Sequence, residues 1–203
     1  MSHTPWLWQA QSLLLDYPSE ELLGRLDMLA QVADALDDAA MHRFVAHLAA
    51  TGLGELQADY VATFDQRKRC CLYLTYFAYG DTRKRGMALL RLKQIYGSAG
   101  LRLSDDELPD HLAVVLEYAA TDPPAGEALL LEHRAGIELL RLALHDGRSP
   151  WADVLDSVSA TLPPLPGDER VAVQRLAAQG PPEEQVGLAP FGAPFGVPSG
   201  AQR

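Results

Sequence analysis

The 203 residues suffice for one domain with a sizeable hydrophobic core, because single cores commonly serve chains of up to about 250 residues. Leu and Ala dominate the apolar residues, which form 48% of the sequence, and this composition favours helices over strands. The 27 acidic residues outnumber the 17 basic ones, and the net charge of −10 opposes binding to nucleic acid or to an anionic membrane surface.

Apolar residues recur at helical spacing through the first third of the chain. They predict a first helix over about 5–16, which the proline of a Tyr-Pro pair ends. Ser19 is the expected N-cap of a second helix over about 20–36. Two more helices follow, one around 44–48 and one that ends at Asp65.

The segment 70–79 is apolar on almost every side, so it is either a buried central helix or a buried strand. The surrounding helices and the lack of a partner strand favour a helix at the centre of a bundle. Pro109 is expected to open a later helix, since proline suits the first helical position. The remaining helices are predicted over about 82–97, 109–121, 125–145 and 150–161.

The chain divides into a helical domain over 1–179 and a tail over 180–203. A short helix is conceivable over 168–178. The tail is rich in proline and glycine and has no helical period, so we expect it to be flexible and disordered. The fold class predicted from these features is all-α: a single-domain antiparallel helical bundle.

Cys70 and Cys71 are adjacent, which suits neither a disulfide between them nor a recognisable metal site. The N-terminus has no basic region followed by an apolar run, and no segment is apolar for long enough to span a membrane. We therefore expect a cytoplasmic protein with no cofactor, no metal and no stable membrane insertion.

Four carboxylates and one histidine lie within the run 105–111. If Pro109 opens a helix, Asp110 falls in its first turn, beside His111. Asp110 then either stabilises the helix dipole while His111 packs locally, or the two form a recognition corner for a cationic peptide. In the second case His111 would make binding sensitive to pH near its ordinary pKa of about 6.5. An acid–base catalytic pair is a third reading, but no nucleophile, metal cluster or phosphate loop accompanies it.

Charge is segregated along the chain. The segment 66–93 holds eight basic residues against the single Asp81, a net charge of +7, so the remainder carries −17. These charges either form solvated helix faces or a second contact surface for an acidic or cofactor-bearing partner.

Four short stretches together resemble the nitrate reductase molybdenum cofactor assembly chaperones, the delta subunit or NarJ/NarW type, within the wider TorD/DmsD-like redox-enzyme chaperones. They are Leu-Leu-Asp-Tyr-Pro at 14–18, Tyr-Val-Ala-Thr-Phe-Asp at 60–65, Gly-Asp-Thr-Arg-Lys-Arg-Gly at 80–86, and Glu-Leu-Pro-Asp-His-Leu at 107–112 followed by Glu117-Tyr118. The Pro-Asp-His element is similar to one in the wider group, whereas the Tyr-Val-x-Thr-Phe-Asp stretch is similar to the nitrate reductase branch.

The resemblance implies a chaperone, not an enzyme, that binds the basic amphipathic N-terminal segment of the apo catalytic (alpha) subunit of a respiratory nitrate reductase. It implies that the chaperone holds this subunit for insertion of molybdenum cofactor and iron–sulfur clusters before membrane docking, with cofactor-biosynthesis proteins as further partners. We predict partner contacts at Tyr60, Phe64, Asp65, Glu107, Pro109, Asp110, His111 and Glu117.

Three alternatives stay open at the level of sequence. The chain could serve another molybdenum oxidoreductase, such as a reductase of selenate, chlorate or an N- or S-oxide. It could be a small helical enzyme that uses Asp110 and His111, or a permanent structural subunit.

Overall fold

A computed structural model describes residues 4–104 and 107–167 of the chain, together with Val171 and Val173. Within these residues the chain forms eleven α-helices, one π-helix and one 3-10 turn, and no strand. This confirms the predicted all-α fold. The tail over 180–203 lies outside the described residues, as does most of the stretch 168–178.

The helices follow one another with short connections. In chain order they are α1 (Thr4–Leu14), α2 (Glu20–Leu23), α3 (Leu26–Ala35), α4 (Ala39–Ala50), α5 (Leu53–Tyr60), α6 (Leu74–Tyr79), α7 (Arg83–Ser98), α8 (Leu112–Thr121), α9 (Pro123–Glu132), α10 (Arg134–Asp146) and α11 (Ala152–Ala160). The π-helix Val61–Asp65 continues α5, and the 3-10 turn Lys68–Cys70 precedes α6.

The core is centred on α1, which packs against α8 and also contacts α3 and α11. Two of its buried polar groups donate hydrogen bonds to these neighbours: the Ser12 hydroxyl to the carbonyl of Ala113 at 2.8 Å, and the Gln11 amide nitrogen to Ser157 Oγ at 2.7 Å. Pairing matters because a buried polar group without a partner costs about 1–3 kcal/mol. The first helix therefore joins two helices that are more than a hundred residues away in sequence.

Aromatic rings fill the space between α4, α5 and the start of α11. Trp151 is 1% exposed, and its ring centroid lies 5.5–5.6 Å from those of Phe44, Tyr60 and Phe64. Such offset and edge-to-face contacts add about 0.5–1.5 kcal/mol per pair to the effect of burial. Two of the predicted partner-contact residues, Tyr60 and Phe64, thus belong to the core.

Two predicted helices are each divided into a pair. The helix predicted over 20–36 breaks at Arg25, between α2 and α3, although Ser19 caps it as expected by accepting from Leu22 N at 3.2 Å. The helix predicted over 125–145 breaks at His133, whose φ of −99° and ψ of 12° are not helical. Apolar spacing continues across both breaks, so periodicity did not reveal them.

The prediction of one central helix over 70–79 is wrong in its first half. Residues 71–73 are extended, and α6 begins only at Leu74. The extended segment pairs with the chain before α8: Leu112 N donates to Leu72 O and Leu74 N donates to Asp110 O, both at 2.9 Å. A single antiparallel bridge between Tyr73 and His111 results, so the first half of the segment is extended without forming a strand.

Gly80 ends α6 with φ +56° and ψ −154°, a combination that side-chain-bearing residues rarely adopt. This turn sends the chain into α7. None of the helices in the described part of the chain is long and apolar enough to cross a membrane.

Candidate partner-binding site

Asp110 is fully buried between α6, α7 and α8, and it does not lie in a helix. Its Oδ2 accepts from the Thr75 amide at 3.3 Å and from the Thr75 hydroxyl, while the Arg85 guanidinium lies 3.6 Å away. Its Oδ1 has no hydrogen-bond partner among the described residues. Asp110 therefore fixes the start of α6 and the first turn of α7 against the loop that leads into α8.

The prediction that Pro109 opens a helix is wrong, because α8 begins at Leu112 and His111 is its N-cap. Pro109 is buried, and its carbonyl accepts from the Tyr96 hydroxyl at 2.8 Å. The backbone carbonyl of Asp110 already accepts from Leu74 N beside the bridge to the 71–73 segment, which prevents a helix from starting three residues earlier, at Pro109.

His111 caps α8 through its ring. Nδ1 accepts from the Ala113 amide at 3.3 Å, an interaction that requires this nitrogen to be unprotonated. Burial lowers the pKa of His111, against the opposing influence of Asp110 and Glu107. The ring also lies edge-on to the ring of Tyr73, with centroids 5.4 Å apart. The Arg85 guanidinium carbon stacks over the Tyr73 ring, 5.5 Å from its centroid. The cap thus favours the neutral imidazole.

Exposed carboxylates from three distant parts of the chain share one face of the domain. We call this face the acidic surface; it comprises Asp16, Asp65, Glu107 and Glu117. Although Asp16 is exposed, partial burial of its carboxyl and the negative charges of Glu117 and Glu107 raise its pKa to about 6. Burial and the charges of Asp16 and Asp65 raise the pKa of Tyr60. These mutual effects show that the four charges act on a common region.

Aromatic side chains lie within the acidic surface. Tyr17 is 50% exposed and meets the buried Tyr60 edge-on, with ring centroids 5.4 Å apart. The hydroxyl of Tyr60 donates to Leu15 O at 2.9 Å, which fixes the turn that carries Asp16 and Tyr17. Tyr73 is half-buried near Asp65, whose charge contributes to the raised pKa of that tyrosine after burial, Cys71 and Asp110.

A cleft of about 380 Å³ opens beside this surface, between the end of α7 and α8. Glu107 and Glu117 line it together with apolar groups that include Leu103, Val114 and Tyr118. The acidic surface therefore combines negative charge, aromatic rings and an apolar recess.

The structure divides the predicted contact residues into two groups. Asp65, Glu107 and Glu117 are exposed on the acidic surface, and His111 is partly exposed. The other four are buried and are not open to direct contact: Tyr60, Phe64, Pro109 and Asp110.

Sequence reasoning missed Asp16, Tyr17 and Tyr73 as site residues. The first two lie within the Leu-Leu-Asp-Tyr-Pro stretch, so the signal was present, but no local pattern places them beside a glutamate a hundred residues later. The packing of α1 on α8 brings them together.

The described part of the chain contains no arrangement that suits a metal ion or a reactive cysteine. No group of three or more His, Cys, Asp or Glu side chains there is arranged to hold a metal ion. Burial raises the pKa of Cys70 and of Cys71, which disfavours the reactive thiolate.

Comparison with known proteins identifies the family. Residues 28–156 match the model described as nitrate reductase delta subunit. The chain is also 31% identical over 160 residues to the probable nitrate reductase molybdenum cofactor assembly chaperone NarJ of Bacillus subtilis, a match that covers 76% of this chain and 87% of that protein. The chain belongs to the nitrate reductase delta subunit family.

Other relatives of this delta subunit family member differ in length. The NarJ assembly chaperone of Escherichia coli K12 is 32% identical over 152 residues, which cover 71% of this chain and 64% of NarJ. The nitrate reductase-like protein NarX of Mycobacterium tuberculosis is 40% identical over 156 residues, but the chain spans only 24% of its length. The NarJ relatives are named as assembly chaperones, which are not catalysts.

A crystal structure from Archaeoglobus fulgidus, described as a redox enzyme maturation protein, shares the fold. Its TM-score is 0.62 at 23% sequence identity, and the match covers 79% of this chain and 93% of that one. The helical architecture of the delta subunit family member is therefore that of a known fold.

Proposed function

We propose that this protein is an assembly chaperone that binds the N-terminal segment of the apo catalytic subunit of a respiratory nitrate reductase, in the cytoplasm. The observation that supports the proposal most directly is the acidic surface, because it joins residues of three of the four family-like stretches into one face. Asp16, Asp65 and Glu107 represent those stretches.

The chemistry of the acidic surface suits a basic amphipathic helix. Lysine and arginine side chains of such a helix meet the carboxylates, while its apolar face packs on Tyr17, Tyr73 and the recess beside Val114. The charges accelerate encounter and select against acidic segments, and the apolar contacts hold the bound helix. Binding in this way keeps the catalytic subunit from membrane docking while molybdenum cofactor and iron–sulfur clusters are inserted, with cofactor-biosynthesis proteins as further partners.

An enzymatic role for Asp110 and His111 has no support in the geometry. The Asp110 carboxylate is fully buried against Thr75 and Arg85, and the Nδ1 atom of His111 is engaged in capping α8. A general acid or base needs access to the proton that it transfers.

The test is co-purification of the tagged chaperone with the apo catalytic subunit from cells that lack molybdenum cofactor. The intact subunit should co-purify, whereas a subunit without its N-terminal segment should be lost. Catalytic subunits of selenate, chlorate and N- or S-oxide reductases serve as comparison clients. Retention of the truncated subunit, or preference for one of these other clients, would overturn the proposal.

A further inference from the structure

The helix α7 exposes more apolar surface than its place in the bundle requires. Of its sixteen residues only Leu92 and Tyr96 are buried, while Met87 is 68% exposed and Leu90 is 49% exposed. A helix on the surface of a domain normally turns such residues toward the core. The outward apolar residues of α7 therefore have no covering element in the described part of the chain.

A groove runs beside these residues, between α6, α7 and α9. We call it the α7 groove; its apolar lining includes Tyr79, Met87, Ala88 and Leu92. The groove also contains Glu132, but both oxygens of this carboxylate are bound by Arg91, one of them at 3.0 Å.

Positive charge dominates the surroundings of the groove. Lys84 lines it and is exposed, and Arg83 and Lys93 are exposed on the same helix. Because Arg91 already neutralises Glu132, the remaining charge favours an occupant that carries carboxylates next to apolar side chains.

We propose that residues 183–195 of this same chain occupy the α7 groove. This segment begins with Glu183 and Glu184, and large apolar side chains follow at short intervals. The tetrapeptide Ala-Pro-Phe-Gly occurs twice in succession, at 189–192 and 193–196. The two glutamates meet the basic residues of α7, and the apolar side chains cover Met87.

The chain has the reach that this docking requires. Val173 is 4% exposed and lies in a second groove along α10, which Arg134 and Arg141 also line. His133, the residue next to Arg134, lines the α7 groove. The thirteen residues of α10 span about 20 Å, and the nine residues between Val173 and Glu183 extend to about 30 Å.

Tethering makes such docking favourable even when the intrinsic affinity is weak. A segment without a core of its own gains by burying apolar side chains elsewhere. A connection of only nine residues raises its effective concentration at the groove to the millimolar range. The prolines restrict the unbound segment, which lowers the entropy lost on docking. Predicted flexibility of the free tail and docking in the groove are therefore compatible.

Oxidation of methionine by hydrogen peroxide, followed by mass spectrometry, tests the proposal. Met87 and Met28 are 68% and 47% exposed, so an open groove makes Met87 the faster to oxidise. In the full chain we expect Met87 to be protected and to oxidise more slowly than Met28. Deletion of 180–203 should accelerate oxidation of Met87 several-fold and leave Met28 unchanged.

Two further variants identify the contacts. In the full chain, F191A/F195A should expose Met87 as the deletion does, and E183Q/E184Q should do so in part. These variants also keep the test decisive if the shortened chain fails to fold. If Met87 oxidises faster than Met28 at the same rate in the full chain and in every variant, the tail does not dock and the groove is open to another protein.

Discussion

The carboxylate of Asp110 is held by Thr75 and faces the Arg85 guanidinium, inside a part of the fold where three helices meet. The predicted place of Asp110 in the first turn of a helix implies that Asp110→Asn costs little stability, because Asn also serves near helix starts. Full burial of Asp110 changes this expectation, because removing one charge of a buried ion pair leaves the other charge uncompensated.

We therefore expect Asp110→Asn to lower the free energy of unfolding by about 2 kcal/mol. The amide still accepts from Thr75, but Arg85 loses its buried counter-charge. Asp81→Asn is the matched control, because its side chain is 78% exposed and lies 3.5 Å from the same guanidinium. Its effect should stay below about 0.5 kcal/mol. Urea unfolding of both variants measures the difference, and equal stability of the two would show that the buried pair contributes nothing.

The pKa of His111 shows that a residue singled out from the sequence can titrate at a different pH from the one that its residue type suggests. Its ordinary pKa near 6.5 led to an expected pH response around neutrality. Burial lowers this pKa, so the ring stays neutral there and keeps its cap on α8. On the acidic surface, the pKa of Asp16 is raised to about 6 and falls near that range.

At the scale of elements, apolar spacing predicted that the chain is helical and where most helices lie. It did not predict where two of those helices are interrupted. The cap at Ser19 could be predicted because a helix N-cap has local chemistry. The extended segment 71–73 depends on partners that are distant in sequence. A bridge between Tyr73 and His111 has no local signal, since its hydrogen bonds satisfy the backbone of whichever residues the fold brings together.

The contact between α8 and α9 depends on a single glycine. A Cβ added at Gly126 would lie 2.1 Å from the Cα of Ala119, a backbone atom that side-chain motion cannot clear. Gly126→Ala should therefore push the helices apart and destabilise the fold by more than about 3 kcal/mol.

Gly86→Ala provides the matched control for this substitution. Gly86 lies in the helix α7, and nothing is within 4 Å of an added Cβ. Alanine there should stabilise by about 0.5–1 kcal/mol through helix propensity. Thermal melts compare the two variants. A melting temperature of Gly126→Ala equal to that of the wild type would contradict the close packing of α8 on α9.

At the scale of the whole molecule, charge is separated into an acidic surface and a basic helix. Composition gave the net charge of −10 and sequence position gave the basic segment 66–93, but neither located the acidic surface. That surface exists because α1 packs on α8 and because the π-helix directs Asp65 outward while Phe64 enters the core. Three of its four carboxylates were found from motifs; Asp16 required the fold.

The central claim is that the acidic surface binds the basic N-terminal segment of the catalytic subunit. Titration calorimetry of a synthetic peptide with that sequence measures it, on the wild type and on the triple variant D16N/E107Q/E117Q. Exposed charge pairs contribute roughly 0.5 kcal/mol each, so the triple variant should bind about tenfold more weakly at low salt. The control D27N/E55Q/E127Q removes three exposed carboxylates outside the acidic surface and should change Kd less than about twofold. Equal affinity of the wild type and the first triple variant, or equal weakening by both, would contradict the account.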